Sequence, residues 1–495
     1  MPHGLMEAAR RFGDRDALRF GAQRLTFSEI DLLSNAFASE LRSRGVTAGQ
    51  RVAVMTANRP EFVIAVYGIS KLNAAAVLIS PAWKAREVGH ALQITAPSYA
   101  IADGDGAPLL AAGLGKDRVY DLDAEPLLGG ALSGSPTPPD PGPVRESDEA
   151  VLVFSSGTTG LPKAVRHTHA SICAGTTHWV SCLGLGPDDR FQVATPPSHI
   201  LGLLNLLAAA EAGATVRLHR RFDLDELLRR IGEDRITLEM AVAPIALALA
   251  NHPRLEEYDL SSLRYIMWGA TPVTQSVAET VTARSGVRWL CGYGASEVPV
   301  IAVNPVREPG RWRLDSAGLP PEGVHLRVAD LDTGRVLAPG ETGEIQIRGA
   351  SVMAGYLPDE ANGDAFADGW YRTGDVGWLE PEGWVHLTDR SKEMIKVKGF
   401  QVAPAEIEAV LHGHPGVLDC AVFGVPDESA GEMPVAAVAL DPNSTVTPEE
   451  LKQLVADSLA GYKRLREVVV VQEIPRLPSG KVLRRTLRDA WIPVP

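Results

Sequence analysis

Cysteine is scarce in this chain. Its four cysteines, Cys173, Cys182, Cys291 and Cys420, are spread over 495 residues with no CxxC pair. That spacing suggests neither a zinc site nor a disulfide framework, and a reduced, cytoplasmic setting is expected. Long apolar runs are missing as well. The longest, LGLLNLLAAAEAGA at 201–214, is interrupted by Glu211 and is too short to cross a bilayer. It reads as a buried helix, and no membrane insertion is expected. The opening stretch, MPHGLMEAARRFGDRDALRF, has no apolar core of the signal-peptide kind. Positive charge is in deficit: 48 Lys and Arg face 61 Asp and Glu, a net charge of −13. That balance argues against nucleic-acid binding and against electrostatic attachment to an anionic membrane. It leaves a nucleotide open, because a local basic cluster can sit in an acidic protein.

What the chain has is alternation. SEIDLLSNAFASELRSRG (28–45) shows helical apolar spacing, with Ser28 as a candidate N-cap and Gly45 as a stop. RVAVMTA then reads as a strand, RPEFVIAVYGISKLNA as a helix and AAVLIS as a strand. This pattern implies an α/β fold with largely parallel sheets. Residues 129–148 hold five prolines and four glycines and read as a loop between subdomains. A second break comes near LTDRSKEMIKVKG (387–399). Beyond it, two helical and three strand-like segments make a compact α+β unit of about one hundred residues, a typical small domain.

The stretch VFSSGTTGLPKAVRHTH (153–169) crowds glycines and hydroxyls around Lys163. Such backbone lets N–H groups approach a phosphate while the ammonium supplies countercharge. It is not a Walker A loop, which needs G-x-x-x-x-G-K-[ST]. Here Leu161 and Pro162 separate Gly160 from Lys163, and Pro162 has no N–H to donate. Taken alone, a plain Gly/Ser/Thr loop between two strands is the lesser alternative. His167 and His169 form an H-x-H pair without a third ligand at suitable spacing, and a helix start after Thr168 explains them better.

Further motifs follow in order: CGYGASE (291–297), YRTGD (371–375), DRSKEMIKVKGFQVAPAEIE (389–408) and LPSGKVLRR (477–485). Together with SSGTTGLPK they resemble the adenylate-forming superfamily of acyl-CoA synthetases, luciferases and peptide-synthetase adenylation domains, over nearly the whole chain. KVKGFQVAPAEIE is most similar to 4-coumarate–CoA ligase-like acid–CoA ligases. The resemblance implies a large N-terminal domain, 1–390, of two helix-flanked sheets plus a small β-barrel, and a small mobile α+β C-terminal domain, 391–495. It implies a ligase using ATP, Mg2+ and coenzyme A on a small carboxylic acid. A carrier-protein thiol, an amine, or activation of an oxyanion such as nitrite are alternatives. Homodimers are common in such families.

Residue roles follow from the same resemblance. Ser155, Thr158, Thr159, Gly160 and Lys163 would hold the β- and γ-phosphates. Tyr293 and Gly294 would take adenine against the backbone of Gly269, Ala270 and Thr271. Asp375 would accept both ribose hydroxyls, its two oxygens matching a vicinal diol, and Arg390 would add a ribose or phosphate contact. Ser296, where the family usually has Thr, would reach the α-phosphate. Glu297 would ligate magnesium, which favours carboxylate plus substrate phosphate oxygens. Lys481 would bridge the carboxylate and the α-phosphate in the transition state. Lys392 would be the hinge about which the C-terminal domain turns. That turn would bring Lys396, Lys398, Gly399 and Gln401 to the thiol side. His199, Gly292 and Val298 would border the acyl pocket. Trp268 stands where relatives carry a small residue; it would shorten the pocket if it points in, and is core otherwise. Outside these motifs, each of these residues would be read as ordinary core or surface. Arg484, Arg485 and Arg488 read as mostly solvated charges.

Overall fold

A computed structural model describes residues 1–128, 137–155, 162–269, 275–390, 393–397, 400–427, 430–442, 444–476 and 481–491. Two large sheets form the N-terminal part. The first runs Ala302–Val303, Trp289–Tyr293, Tyr265–Trp268, Leu238–Ala241, Arg190–Val193, Thr215–Leu218, Asp16–Phe20, Gln23–Thr26, parallel except at its two edges. The second runs Gly355–Leu357, Lys163–Thr168, Glu149–Ser155, Ala75–Leu78, Arg51–Met55, Tyr99–Ala102, Val119–Asp121. Its first two pairings are antiparallel and the rest parallel. The alternation expected from the sequence is therefore present.

One apolar cluster holds the two sheets together. Val54, Leu78 and Val153 of one sheet and Phe191, Leu238 and Tyr265 of the other share it with helices Phe27–Ser43, Pro60–Lys71, His169–Leu183 and Ile200–Ala212. Pro60–Lys71 is buried at every residue, and its middle, Phe62–Ile69, carries no charged side chain. Its one buried cation, Lys71, is hydrogen-bonded to Asp31, Ser34 and Asn35. The apolar run at 201–214 is indeed a buried helix, Ile200–Ala212. The Ser28 cap is a correction. Thr26 caps the helix, accepting from the Glu29 N–H while Glu29 returns a bond to the Thr26 N–H, and Ser28 lies inside the first turn.

His325–Ala329, Gly343–Arg348, Trp370–Leu379, Phe366–Ala367 and Val385–Arg390 form a five-stranded antiparallel sheet, the small barrel-like unit of the N-terminal part. The C-terminal unit is a second five-stranded sheet covered by helices Pro404–His412 and Pro448–Ser458. The Ala405 N–H donates to Asp389 (2.9 Å) where the two units meet. A cleft of about 490 Å³ beside this contact is lined by Asp330, Thr342, Trp378, Glu406, Tyr462 and Lys463. No helix among the described residues is long and apolar enough to cross a membrane.

Candidate active site

Ser155 ends one strand and Lys163 begins the next, and the two are cross-strand partners. The two strands run antiparallel. Thr158, Thr159 and Gly160 lie outside the described residues. The strand pair is propped from one side by helix Ala85–Thr95, whose His90 Nε2 bonds the Pro162 carbonyl (3.0 Å). Trp83 meets Phe154 edge-on at 4.9 Å. Past Lys163 the strand delivers His167, fully buried, whose Nε2 donates to the Ser296 carbonyl (2.8 Å). Burial pushes that imidazole down to about 4, so it is neutral and has a hydrogen bond at each nitrogen. Thr168 then caps the next helix, as the sequence reading of the H-x-H stretch expects. No group of three or more His, Cys, Asp or Glu among the described residues could cage a metal.

The CGYGASE segment leaves strand Trp289–Tyr293 and turns sharply. A Cβ on Gly294 would stand 2.3 Å from the Pro299 carbonyl, so only glycine fits there. The turn closes with the Ala295 N–H on the Val298 carbonyl (2.9 Å) and buries Val298. A Cβ on Gly292 would meet the Met267 methyl at 2.4 Å. Tyr293 then donates its hydroxyl to Asp375. Asp375 itself is held by its N–H on Thr373 Oγ1 (2.9 Å). Glu344, which sequence reasoning did not single out, shapes the turn before it by accepting from Arg372 Nε (2.8 Å) and the Gly374 N–H (3.2 Å). Arg390 pairs with Asp375 through the backbone; its side chain is outside the described set.

Two tyrosines missed by the sequence reading complete the cluster. Tyr356 OH donates to Glu297 Oε1 (2.8 Å) and lies 3.2 Å from Tyr371 OH. The Lys163 ammonium sits 5.0 Å from the Tyr356 ring centroid. The structure therefore gathers Lys163, Glu297, Tyr293 and Asp375 from three different sheets. Tyr371 was the discoverable one, since it opens the YRTGD motif. Tyr356 had no local signal.

His199 is the N-cap of Ile200–Ala212, and burial lowers its pKa, so a neutral imidazole faces this end of the helix. Trp268 is buried against Trp289, ring centroids 5.0 Å apart, with Val277, Ala278 and Val281. Its neighbour Met267 points to the opposite face, toward the cluster containing Ile200–Ala212. Trp268 thus packs on the side of the sheet away from that helix. Gly269 is described, whereas Ala270 and Thr271 lie outside the described residues.

The remaining candidates belong to the C-terminal unit. Lys481 precedes Val482, whose backbone bridges Arg476. Lys396 lies on strand Ile395–Val397 opposite Gln401, and its N–H donates to Glu432 (2.8 Å). Lys392, Lys398 and Gly399 lie outside the described residues, as does the Gln401 side chain. Arg484 is no solvated charge. It is half-buried, bonding Glu408 (2.7 Å), Glu393 and the Val422 carbonyl, while Arg485 is exposed.

A family model described as AMP-binding enzyme matches residues 5–357, and one for the AMP-binding enzyme C-terminal domain matches 406–481. The chain belongs to the AMP-binding enzyme family. Its relatives include 4-coumarate–CoA ligase 1 of Solanum tuberosum, 34% identical over 97% of this chain and 92% of that one. Among solved structures, ATP-bound MatB from Rhodopseudomonas palustris superposes with a TM-score of 0.91 at 26% identity, covering 99% and 98% of the two chains. The amide bond synthetase McbA from Marinactinospora thermotolerans gives 0.86 at 29% identity, over 99% and 100%. The family is one of ATP-using, adenylate-forming ligases of acyl-CoA synthetase type, and the fold of this chain is theirs.

Proposed function

We propose that this chain is an acid–CoA ligase: it joins a carboxylic acid to AMP from ATP, releases pyrophosphate, then passes the acyl group to the thiol of coenzyme A. The observation that carries the reading is the cluster of Tyr293 on Asp375 and Tyr356 on Glu297 beside Lys163. It offers an aromatic face, a diol acceptor, a hard oxygen ligand and a phosphate cation together. The likeness to a 4-coumarate–CoA ligase over nearly the full chain supports coenzyme A as acceptor and puts aromatic acids first in order of test.

The residues divide the work by chemistry. Asp375 has lone pairs enough for the Tyr293 hydroxyl and for ribose hydroxyls together. Lys163 and the Gly- and Thr-rich stretch before it hold the leaving pyrophosphate. Glu297 suits Mg2+, which takes oxygen donors and is usually held by one or two carboxylates with substrate phosphates. When bound, the cation would neutralise phosphate charge. Lys481, on the C-terminal unit, spans two anions that otherwise repel, where charge develops. The neutral His199 borders the acyl group. For the second step the unit 391–495 turns about Lys392, withdrawing Lys481 and presenting Lys396, Lys398, Gly399 and Gln401.

A second reading keeps adenylation and replaces the thiol by an amine. The likeness to an amide bond synthetase favours it. Pyrophosphate release measured over aromatic, short-chain and medium-chain acids, with and without coenzyme A, separates the two. Under the first reading an acyl-CoA thioester accumulates. AMP release that needs an amine, with no thioester, would replace it by the second.

A further inference from the structure

Tyr356 and Tyr371 touch neither expected substrate in the roles above, yet both hydroxyls are buried at the junction of three sheets. Tyr356 is on Gly355–Leu357, the edge strand paired with the Lys163 strand. Tyr371 is on Trp370–Leu379 of the barrel-like sheet, the strand that also carries Asp375. Glu297 follows the last parallel strand of the eight-stranded sheet. The hydroxyl of Tyr356 stands between the other two, 2.8 Å from Glu297 Oε1 and 3.2 Å from Tyr371 OH. All three residues are less than one-tenth exposed.

The donor directions follow from counting hydrogens. An ionised carboxylate only accepts, and a phenol has one hydrogen. The Tyr356 hydrogen is therefore committed to Glu297, and Tyr371 must donate to Tyr356. Hydrogen bonds in such a chain polarise one another, so the second strengthens the first. The Tyr356 backbone is pinned as well, its N–H donating to Asn362 Oδ1 (2.7 Å). Glu297 is anchored in turn, its carbonyl accepting from the Met353 N–H (2.8 Å).

We propose that Tyr371 and Tyr356 are positioning residues: a directed pair of hydroxyls that fixes the Glu297 carboxylate for the cation accompanying the nucleotide. The inference rests on the reading of Glu297 as the Mg2+ ligand. Tyr356 also lies under the Lys163 ammonium, so the cation ligand and the phosphate lysine share one support.

The test is equilibrium binding of ATP to the full chain by calorimetry, in Mg2+ and in EDTA, for wild type, Y356F, Y371F, the double variant and E297Q. The readout is the Mg2+-dependent gain in affinity, which involves no turnover. Losing a hydrogen bond to a charged group is worth roughly a factor of ten. We expect Y356F to lose about fivefold to tenfold of that gain and Y371F about twofold. Affinity in EDTA should stay unchanged, because phenylalanine keeps the ring under Lys163, while the thermal midpoint should fall modestly with the lost buried hydrogen bond. Because Tyr371 acts through Tyr356, the double variant should match Y356F. A full Mg2+ gain in Y356F, with E297Q abolishing it, overturns the inference alone. Additive losses in the double variant overturn the directed chain. A full gain in E297Q overturns the reading of Glu297 beneath it. Should Y356F not fold, Y371F decides by the same gain.

Discussion

At the scale of single residues, the motif side chains were legible because their chemistry needs particular atoms. Lys163, Tyr293, Glu297 and Asp375 were named from the chain and are found in one cluster. Tyr356 was not, since its hydroxyl matters only through a carboxylate 59 positions away in sequence. Nor was the pairing of Arg484, whose carboxylate partners lie 76 and 91 positions away. Two outcomes belong here. D375A should raise the KM for ATP about tenfold or more, the cost of a charged hydrogen-bond acceptor, with acid KM nearly unchanged; steady-state kinetics check it. K481A should slow acid-dependent ATP–pyrophosphate exchange by about two to three orders of magnitude. Thioester formation from supplied acyl-adenylate should stay within a few-fold, because the proposed mechanism withdraws the ammonium before that step.

At the scale of elements, helix and strand positions were readable from periodicity, since buried faces repeat along the chain. What periodicity misses is polarity on a buried strand face. Gln192, Glu239 and His219 share such a face. Gln192 donates to Glu239 (2.7 Å) and to the Leu227 carbonyl (3.1 Å), and accepts from His219 Nε2 (2.8 Å). Burial pushes Glu239 up to about 8 and His219 down to about 4. Folded Glu239 keeps a proton that the unfolded chain has released, so its contribution falls as pH rises from the ordinary carboxyl value toward 8. His219, like His167, stays neutral where the unfolded chain takes up a proton, so its contribution is lost as pH drops from 6.5 toward 4. Each slope is at most about 1.4 kcal/mol per pH unit. Urea unfolding from pH 5 to 9 should therefore show a maximum near pH 6–7 from these groups. E239Q should flatten the alkaline limb and steepen the acid one, where Glu239 opposes the histidines; an unchanged alkaline limb would refute the assignment.

At the scale of the molecule, the C-terminal unit meets the barrel-like sheet through the Ala405–Asp389 bond and the cleft beside it. Catalysis by turning about Lys392 predicts that K392A leaves both half-reactions within about threefold, because a hinge supplies backbone freedom. K392P, with φ restricted, should keep adenylation and cut thioester formation about tenfold or more. Stopped-flow measurement of each half-reaction distinguishes them. The sequence by itself determined the alternating elements, the two-part organisation and the family, because these are written in local periodicity and short ordered motifs. Only the tertiary structure decided which way Trp268 faces, what holds Glu297 and which carboxylates Arg484 pairs with. Those are contacts between distant segments, and spacing along a chain carries no record of which strands become neighbours.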